Sequence, residues 1–131
     1  MMAAKQYGFR KRERLVSQRL IDDLFAGGHS RSVAAFPLRA VYQLRPRGDH
    51  DAPLQMLVSV PKKHFHHAVD RNRVKRQVRE AWRHQQPLLA QSLGADRQLL
   101  VAFVWQSNAQ LTTQQVASRV AGIVRRIQEK L

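Results

Sequence analysis

The sequence has 131 residues, of which 23 are Lys or Arg and 9 are Asp or Glu, so its formal net charge is +14. That imbalance indicates a polyanionic partner, most commonly a phosphate backbone. The lack of cysteine excludes disulfides, thiolate metal sites and a cysteine nucleophile. No apolar run approaches the roughly 20 residues that span a bilayer. We therefore predict one domain over residues 1–131, soluble and cytoplasmic, with no membrane partner.

The N-terminal segment is predicted to be a flexible basic arm covering residues 1–14, which either orders on RNA or stays frayed. Its candidate RNA-binding cations are Arg10, Lys11, Arg12 and Arg14. A helix follows, because Ser17 is suited to cap its start and Gly27 with Gly28 to end it. Its apolar stripe, which the pattern alone assigns to core packing, consists of Leu20, Ile21, Leu24 and Phe25.

Three strands are predicted in the middle and late parts of the chain. Residues 27–35 are small and polar, which is typical of a loop. Residues 36–44 alternate as in a strand, and Pro37 marks its beginning or an edge of the sheet. One face of that strand carries Phe36, Leu38, Ala40, Tyr42 and Leu44, and the other carries Pro37, Arg39, Val41 and Gln43. Residues 54–60 and 99–105 are apolar runs typical of buried strands.

The last helix has clear start signals, because Thr112 and Gln115 have capping-box spacing. Its inner stripe consists of Val116, Val120, Ile123, Val124, Ile127 and Leu131. Pro87 is expected to end or interrupt the preceding helical region. The element order is helix, strands, basic helix, strand, helix, which predicts a single α+β domain in which helices cover a sheet.

The basic helix covers residues 71–83. Its predicted inner face carries Val74, Val78, Ala81 and Trp82, and its outer face carries Asn72, Lys75, Arg76, Arg79 and Arg83. Like charges four residues apart destabilise a helix, and Glu80 is the only acid in the stretch. An external polyanion is therefore the favoured partner, with a merely solvated face as the alternative. Glu80 is expected to tether a neighbouring base.

Intrinsic catalysis is not indicated by these residues. The nine acids are scattered, and Asp22 and Asp23 are adjacent on a helix instead of converging on a site. His64, His66 and His67 have no zinc-site spacing. We therefore predict no catalytic side chain and no protein metal site.

Two stretches carry a family resemblance. Residues 58–63, Val-Ser-Val-Pro-Lys-Lys, and residues 68–80, Ala-Val-Asp-Arg-Asn-Arg-Val-Lys-Arg-Gln-Val-Arg-Glu, resemble the signature of the protein subunit of bacterial ribonuclease P. Supporting features run through nearly the whole chain, from the basic N-terminus to the late strand and final helix. A ribosomal protein or a general RNA chaperone on the same fold is the alternative.

The resemblance implies a ribosomal-protein-like α-β sandwich with a left-handed β-α-β crossover. It also implies that the partners are a catalytic RNA and precursor tRNA, and that the RNA uses Mg²⁺ to hydrolyse the phosphodiester that releases the 5′ leader. The protein would then be an accessory subunit of an endonuclease, cofactor-free apart from Mg²⁺ held mainly by the RNA, with no obligate protein partner.

The resemblance also assigns site residues. The RNA-facing set is Lys62, Lys63, Arg71, Asn72, Arg73, Lys75, Arg76 and Arg79, with helix-start hydrogen bonding as the alternative role for Asn72. The family's leader groove lies between the first helix and the sheet, and falls here on Ile21, Phe25, Phe36, Leu38 and Arg39. Ile21 and Arg39 replace aromatic residues common in the family, so this groove is expected to depend more on charge than on ring stacking.

Overall fold

The structure, a computed structural model, describes residues 11–131. Its helices are α1 (Gln18–Ala26), α2 (Ala68–Leu93) and α3 (Thr113–Glu129), and its strands are β1 (Arg31–Ala35), β2 (Leu38–Pro46), β3 (Leu54–Ser59) and β4 (Arg97–Trp105). The strands form one mixed sheet in the order β1-β2-β4-β3. β1 and β4 run antiparallel to β2, whereas β3 runs parallel to β4. The predicted α+β class is confirmed.

The sheet has helices on both faces, because β2 alternates as the sequence predicts. Leu38, Ala40 and Tyr42 join the main core with α2 and α3, including the edge-to-face pair of Trp82 and Phe103, whose ring centroids are 5.6 Å apart. Val41 points the other way, into a smaller core with α1. We call these the α2/α3 face and the α1 face. The cores fix which side chains remain available at each surface.

The smaller core holds the segment that precedes α1 against the sheet. It contains Leu15, Leu24, Val41, Leu100 and Ala102. The Leu15 amide donates to the Met56 carbonyl at 2.9 Å, next to a parallel bridge between Arg14 and Met56. The chain is thus anchored to β3 immediately before α1, which begins after the Ser17 cap and ends at Gly27 with φ +84°.

Residues 27–35 are not the loop that the sequence predicts, because β1 occupies Arg31–Ala35. This strand pairs with the first half of β2, from Arg31 opposite Tyr42 to Ala35 opposite Leu38. Val33 is its only buried side chain, so it lacks the apolar alternation from which strands are predicted. Residues 31–35 therefore form a strand because they pair with β2, and not because of their own apolar pattern.

The predicted break at Pro87 is also wrong, because α2 continues through it to Leu93. Pro87 removes one backbone donor from the helix interior. Leu89 and Leu93 are nevertheless fully buried and extend the packed face that begins with Val74 and Val78. Burial of two leucines, about 1.5–3 kcal/mol each, matches or exceeds the roughly 3 kcal/mol cost of an interior proline.

The final helix is confirmed in detail. The Thr112 hydroxyl accepts from the Gln115 amide at 3.1 Å, and the Gln115 side chain accepts from the Thr112 amide at 2.9 Å. The predicted inner stripe is buried from Val116 to Ile127. α3 consequently lies against α2 on the α2/α3 face, and its start adjoins the basic part of α2.

Candidate nucleic-acid interface

The basic helix presents the two faces that the sequence predicts. Val74, Val78, Ala81 and Trp82 are at most 7% exposed. On the outer face, Asn72, Arg76 and Arg79 are exposed, and Lys75 and Arg83 are half-buried. Packing of the inner face against the sheet holds the outer face in a fixed orientation. The rigid helix therefore carries its cations as a preformed surface.

Two of the predicted RNA-facing arginines already bind the protein. Nη1 of Arg71 donates to the carbonyls of Phe65 and His66, each at 2.8 Å. This guanidinium ties residues 65–66 to the first turn of α2, whose N-cap, His67, makes no side-chain capping bond. Arg71 therefore has a structural role at the start of the helix, in addition to the role assigned by resemblance.

Arg73 is the second engaged arginine. Its Nη1 donates to Oε1 of Gln110, and Nε2 of Gln110 donates to Oδ1 of Asp70 at 3.1 Å. This chain of bonds links the first two turns of α2 to the loop before α3. Asp70 also lies in the first turn of α2, where a carboxylate interacts favourably with the helix dipole.

Lys75, Arg76 and Arg79 differ from these two. Among residues 11–131, none of their side chains has a hydrogen-bond or ion-pair partner, and the same holds for Asn72, so helix-start bonding does not explain that residue. Glu80 instead pairs with Arg83 and lies 3.4 Å from Nε2 of His84, which confirms its predicted tethering role. The three unpaired cations therefore form an uncompensated positive surface on α2.

Lys62 and Lys63 lie beside the start of α2. Both are exposed, in the turn that follows β3. Because β3 and β4 are parallel, their carboxyl ends meet at one edge of the sheet. Nδ1 of His64 and Oδ1 of Asn108 are 2.7 Å apart there, joining the loop after β3 to the loop after β4. The fold thus brings the Pro-Lys-Lys turn and the basic helix to one side of the molecule.

The predicted leader-groove residues are only partly gathered. Ile21 packs against the smaller core, and Phe25, one turn further along α1, keeps 47% of its surface exposed. Arg39 is exposed and, by the alternation of β2, shares the α1 face with Val41. Leu38 is fully buried in the main core on the opposite face. Ile21, Phe25 and Arg39 therefore border one surface, and Leu38 does not.

Phe36 has a different setting from the strand position that the sequence predicts. It lies in the turn between β1 and β2, precedes a cis peptide bond to Pro37, and is 70% exposed. Its carbonyl accepts from Nε of Arg119 on α3 at 3.0 Å. The ring is thus available at the tip of the hairpin instead of in the alternation of β2.

The N-terminal cations are described only in part. Arg10 and the side chain of Lys11 lie outside the described residues. Arg12 and Arg14 are both exposed, and the Arg12 carbonyl accepts from Nε2 of Gln55 at 2.9 Å. The last residues of the predicted arm therefore lie along β3, close to the start of α1.

No metal-binding group is evident in the described part of the chain: across residues 11–131, no three His, Cys, Asp or Glu side chains are grouped so as to hold an ion. The same residues contain no helix long and apolar enough to cross a membrane. The chemistry that the surface does support is binding, through guanidinium and ammonium groups that suit phosphate oxygens.

Comparison with known proteins assigns the family. A family model described as Ribonuclease P matches residues 9–128. The Ribonuclease P protein component of Porphyromonas gingivalis is 44% identical over 90 residues, covering 68% of this chain and 63% of that protein. That of Nitrosococcus oceani is 39% identical over 85 residues, covering 65% and 66%. The chain thus spans slightly less than two thirds of the length of these relatives.

Solved structures agree on the fold. The RNase P protein of Staphylococcus aureus superposes with a TM-score of 0.66 at 18% identity, covering 88% of this chain and 94% of that one. The RNase P protein of Thermotoga maritima gives 0.64 at 17% identity, covering 87% and 96%. The match to the family model includes every helix and strand described above except the last residue of α3. The chain therefore belongs to the ribonuclease P protein family.

Proposed function

We propose that this chain is the protein subunit of a ribonuclease P ribonucleoprotein, acting in the cytoplasm. The observation that carries the proposal is the unpaired cationic face of α2, formed by Lys75, Arg76 and Arg79, in a chain of this family. Phosphate oxygens of a structured RNA would supply the missing partners. Asn72, Lys62 and Lys63 extend the same binding surface, and the N-terminal cations Arg10, Lys11, Arg12 and Arg14 add to the electrostatic attraction.

The second ligand is the unpaired 5′ leader of precursor tRNA. We place it along the α1 face, beside Ile21, Phe25 and Arg39, with Phe36 at the hairpin tip. Base stacking on an aromatic ring is tolerant of sequence, and a guanidinium both stacks and binds phosphate. This set suits leaders of varied sequence. The protein holds the leader, and thereby favours precursor over mature tRNA.

Hydrolysis of the phosphodiester is assigned to the RNA subunit. The described residues provide binding groups but no converging carboxylates or histidines, so no protein side chain is given a catalytic role. Mg²⁺ is accordingly bound mainly by the RNA. The protein contributes by positioning substrate and by lowering the repulsion between two polyanions, an effect that matters most at low Mg²⁺.

The test is cleavage of a precursor tRNA with a short unpaired leader at low Mg²⁺ and moderate salt. Three reactions are compared: protein alone, the cognate catalytic RNA alone, and both together. We expect efficient cleavage only with both, and tighter binding of the precursor than of mature tRNA. Cleavage by protein alone would overturn the division of labour. Lack of stimulation would favour a ribosomal protein or RNA chaperone.

A matched pair of variants sharpens this test. Arg76→Gln removes an unpaired cation from the proposed binding surface, whereas Arg125→Gln removes an exposed cation from α3 that has no partner among residues 11–131. Both lower the net charge by one. Stimulation of cleavage should fall only for Arg76→Gln, and equal losses would show that net charge alone is responsible.

A further inference from the structure

A second basic site lies beside α1, on the side of the helix that faces away from the proposed leader groove. A cavity of about 480 Å³ opens between α1, the turn that follows it and the end of β2. Its charged and polar walls are Arg19, Asp23, His29, Gln43 and Arg45, and its apolar walls are Leu20, Leu44 and Pro46. An adjoining opening shares Arg19, Leu20 and Arg45 and is also lined by Arg14.

This cavity is separate from the proposed leader groove. Asp23 and Phe25 are two residues apart on α1, which turns their side chains roughly 160° away from each other around the helix axis. β1 covers the edge of β2 only as far as Tyr42. Residues 43–46 therefore form an open edge of the sheet, and the cavity occupies the corner between that edge and α1.

Two of the arginines here, Arg19 and Arg45, are not used by the fold. Nearby, Arg47 donates to the carbonyls of Gly94 and Ala95 at 2.7 and 2.8 Å, and Arg97 donates to the carbonyl of Leu93 at 3.0 Å. Arg19 and Arg45, in contrast, have no side-chain partner among residues 11–131. Nε of Arg45 is moreover buried without an acceptor. An anion can therefore reach Arg45 only through its terminal nitrogens, Nη1 and Nη2, where a charge-assisted hydrogen bond is stronger than a neutral one.

Asp23 gives the cavity a second kind of group. Asp23 is exposed, and its Oδ2 accepts from Nε2 of the buried Gln43 at 3.2 Å, which orients the carboxylate toward the cavity. Its Oδ1 has no partner in the described part of the chain. A carboxylate oxygen and two guanidinium groups lining one cavity suit a ligand that carries both an anion and a hydroxyl donor. A ribonucleotide has both, through its phosphate and its 2′-hydroxyl.

We propose that this cavity binds one unpaired nucleotide of an RNA strand. Arg19 and Arg45 hold the phosphate, Oδ1 of Asp23 accepts from the 2′-hydroxyl, and the base lies against Leu20, Leu44 and Pro46. The proposal rests on the proposed function only for the choice of RNA as the polyanion. RNA bound at both sites would touch the protein on α2 and on the far flank of α1.

The test is a titration of the ¹⁵N-labelled full chain with single-stranded pentauridylate, followed through all backbone amide signals and through two side-chain N–H signals, those of Arg45 and Gln43. We expect both signals to shift, and to shift less with the deoxyribose pentamer at equal concentration. Shifts confined to α2 and to the Ile21–Phe25 flank would overturn the site. Equal shifts with the deoxy pentamer would overturn the assignment of Asp23 to the ribose.

Variants and a second ligand complete the test. Arg19 is exposed, so Arg19→Gln should leave the fold intact. It should lower the affinity for pentauridylate, measured from the shift of the Gln43 signal, about tenfold, the expected effect of losing one charged hydrogen-bonding partner. Arg125→Gln should leave it unchanged, and equal weakening by both variants would contradict the proposal. Uridine monophosphate binding as tightly as the pentamer would point to a free nucleotide instead of RNA. Because no catalytic RNA is present, this titration stands or falls independently of the cleavage assay.

Discussion

Nη1 of Arg126 lies 2.8 Å from the carbonyl oxygen of Ala34, so the last turn of α3 is bonded to strand β1. Arg119, two turns earlier on α3, donates in the same way to the carbonyl of Phe36. β1 is an edge strand, and an uncovered edge is a template for pairing with another chain. Arg126 therefore covers part of this edge strand, and Arg119 holds the turn that follows it.

Arg126→Ala should lower the free energy of unfolding by about 1–2 kcal/mol, because it removes one charged hydrogen bond and leaves the Ala34 carbonyl without that donor. The neighbouring Arg125→Ala removes the same charge from an exposed side chain with no partner among residues 11–131, and should change stability by less than about 0.5 kcal/mol. Urea denaturation of both variants measures the difference. Equal losses would show that the bond to β1 is not what stabilises the fold.

Val78→Asp should unfold the domain or destabilise it by several kcal/mol, because Val78 is completely buried between α2 and the sheet and its replacement carries an unpaired charge. Val69→Asp is the matched control on the same helix. Val69 is 71% exposed in the first turn, where an added carboxylate interacts favourably with the helix dipole. Circular dichroism during thermal unfolding compares the two. A stable, folded Val78→Asp protein would refute the packing of α2.

The sequence predicted those elements whose own pattern agrees with their packing. Val74, Val78 and Trp82 repeat at helical spacing, and the Thr112–Gln115 capping box marks the start of α3. β1 was missed because Val33 is its only buried side chain, so its existence depends on β2. The continuation of α2 past Pro87 was missed because the burial of Leu89 and Leu93 depends on the rest of the fold.

The candidate site likewise has features that the sequence predicted and features that it did not. Charge and spacing identified the basic face of α2, but could not reveal that Arg71 bonds to backbone carbonyls while Arg76 has no partner among residues 11–131. The cavity beside α1 combines Arg19 with Arg45, which lie far apart in the sequence on different elements. No local pattern joins such residues, and only the crossing of α1 over β2 does so.

Phe25→Ala should weaken binding of precursor tRNA by about 1–3 kcal/mol and leave mature tRNA unaffected, because it removes a ring available to stack on leader bases. Phe36→Ala is the informative comparison, since that ring is even more exposed but lies in the β1–β2 turn. We expect a smaller loss for Phe36→Ala. Binding measured with the RNA subunit present, for both tRNAs, tests this. Equal effects on precursor and mature tRNA would contradict the placement of the leader.

The arginines of α2 that have no partner among residues 11–131 should affect RNA binding but not stability, whereas Arg71, which bonds to backbone carbonyls, should affect stability. Replacing Arg76 and Arg79 by Gln should reduce the salt dependence of catalytic-RNA binding by about two units of slope, one for each phosphate that is no longer neutralised. The free energy of unfolding should hardly change, because neither side chain has a partner among residues 11–131. The measurements are affinity at several salt concentrations and urea denaturation.

Arg71→Gln should show a different balance. It removes the two 2.8 Å bonds to the carbonyls of Phe65 and His66, so we expect a stability loss of about 1.5–3 kcal/mol. This substitution should change the slope of the salt dependence of catalytic-RNA binding by no more than about one unit, the value for a single bound phosphate. If replacing Arg76 and Arg79 leaves the salt dependence of catalytic-RNA binding unchanged, the outer face of α2 does not bind RNA. If Arg71→Gln leaves stability unchanged, its bonds to the loop do not hold the start of the helix.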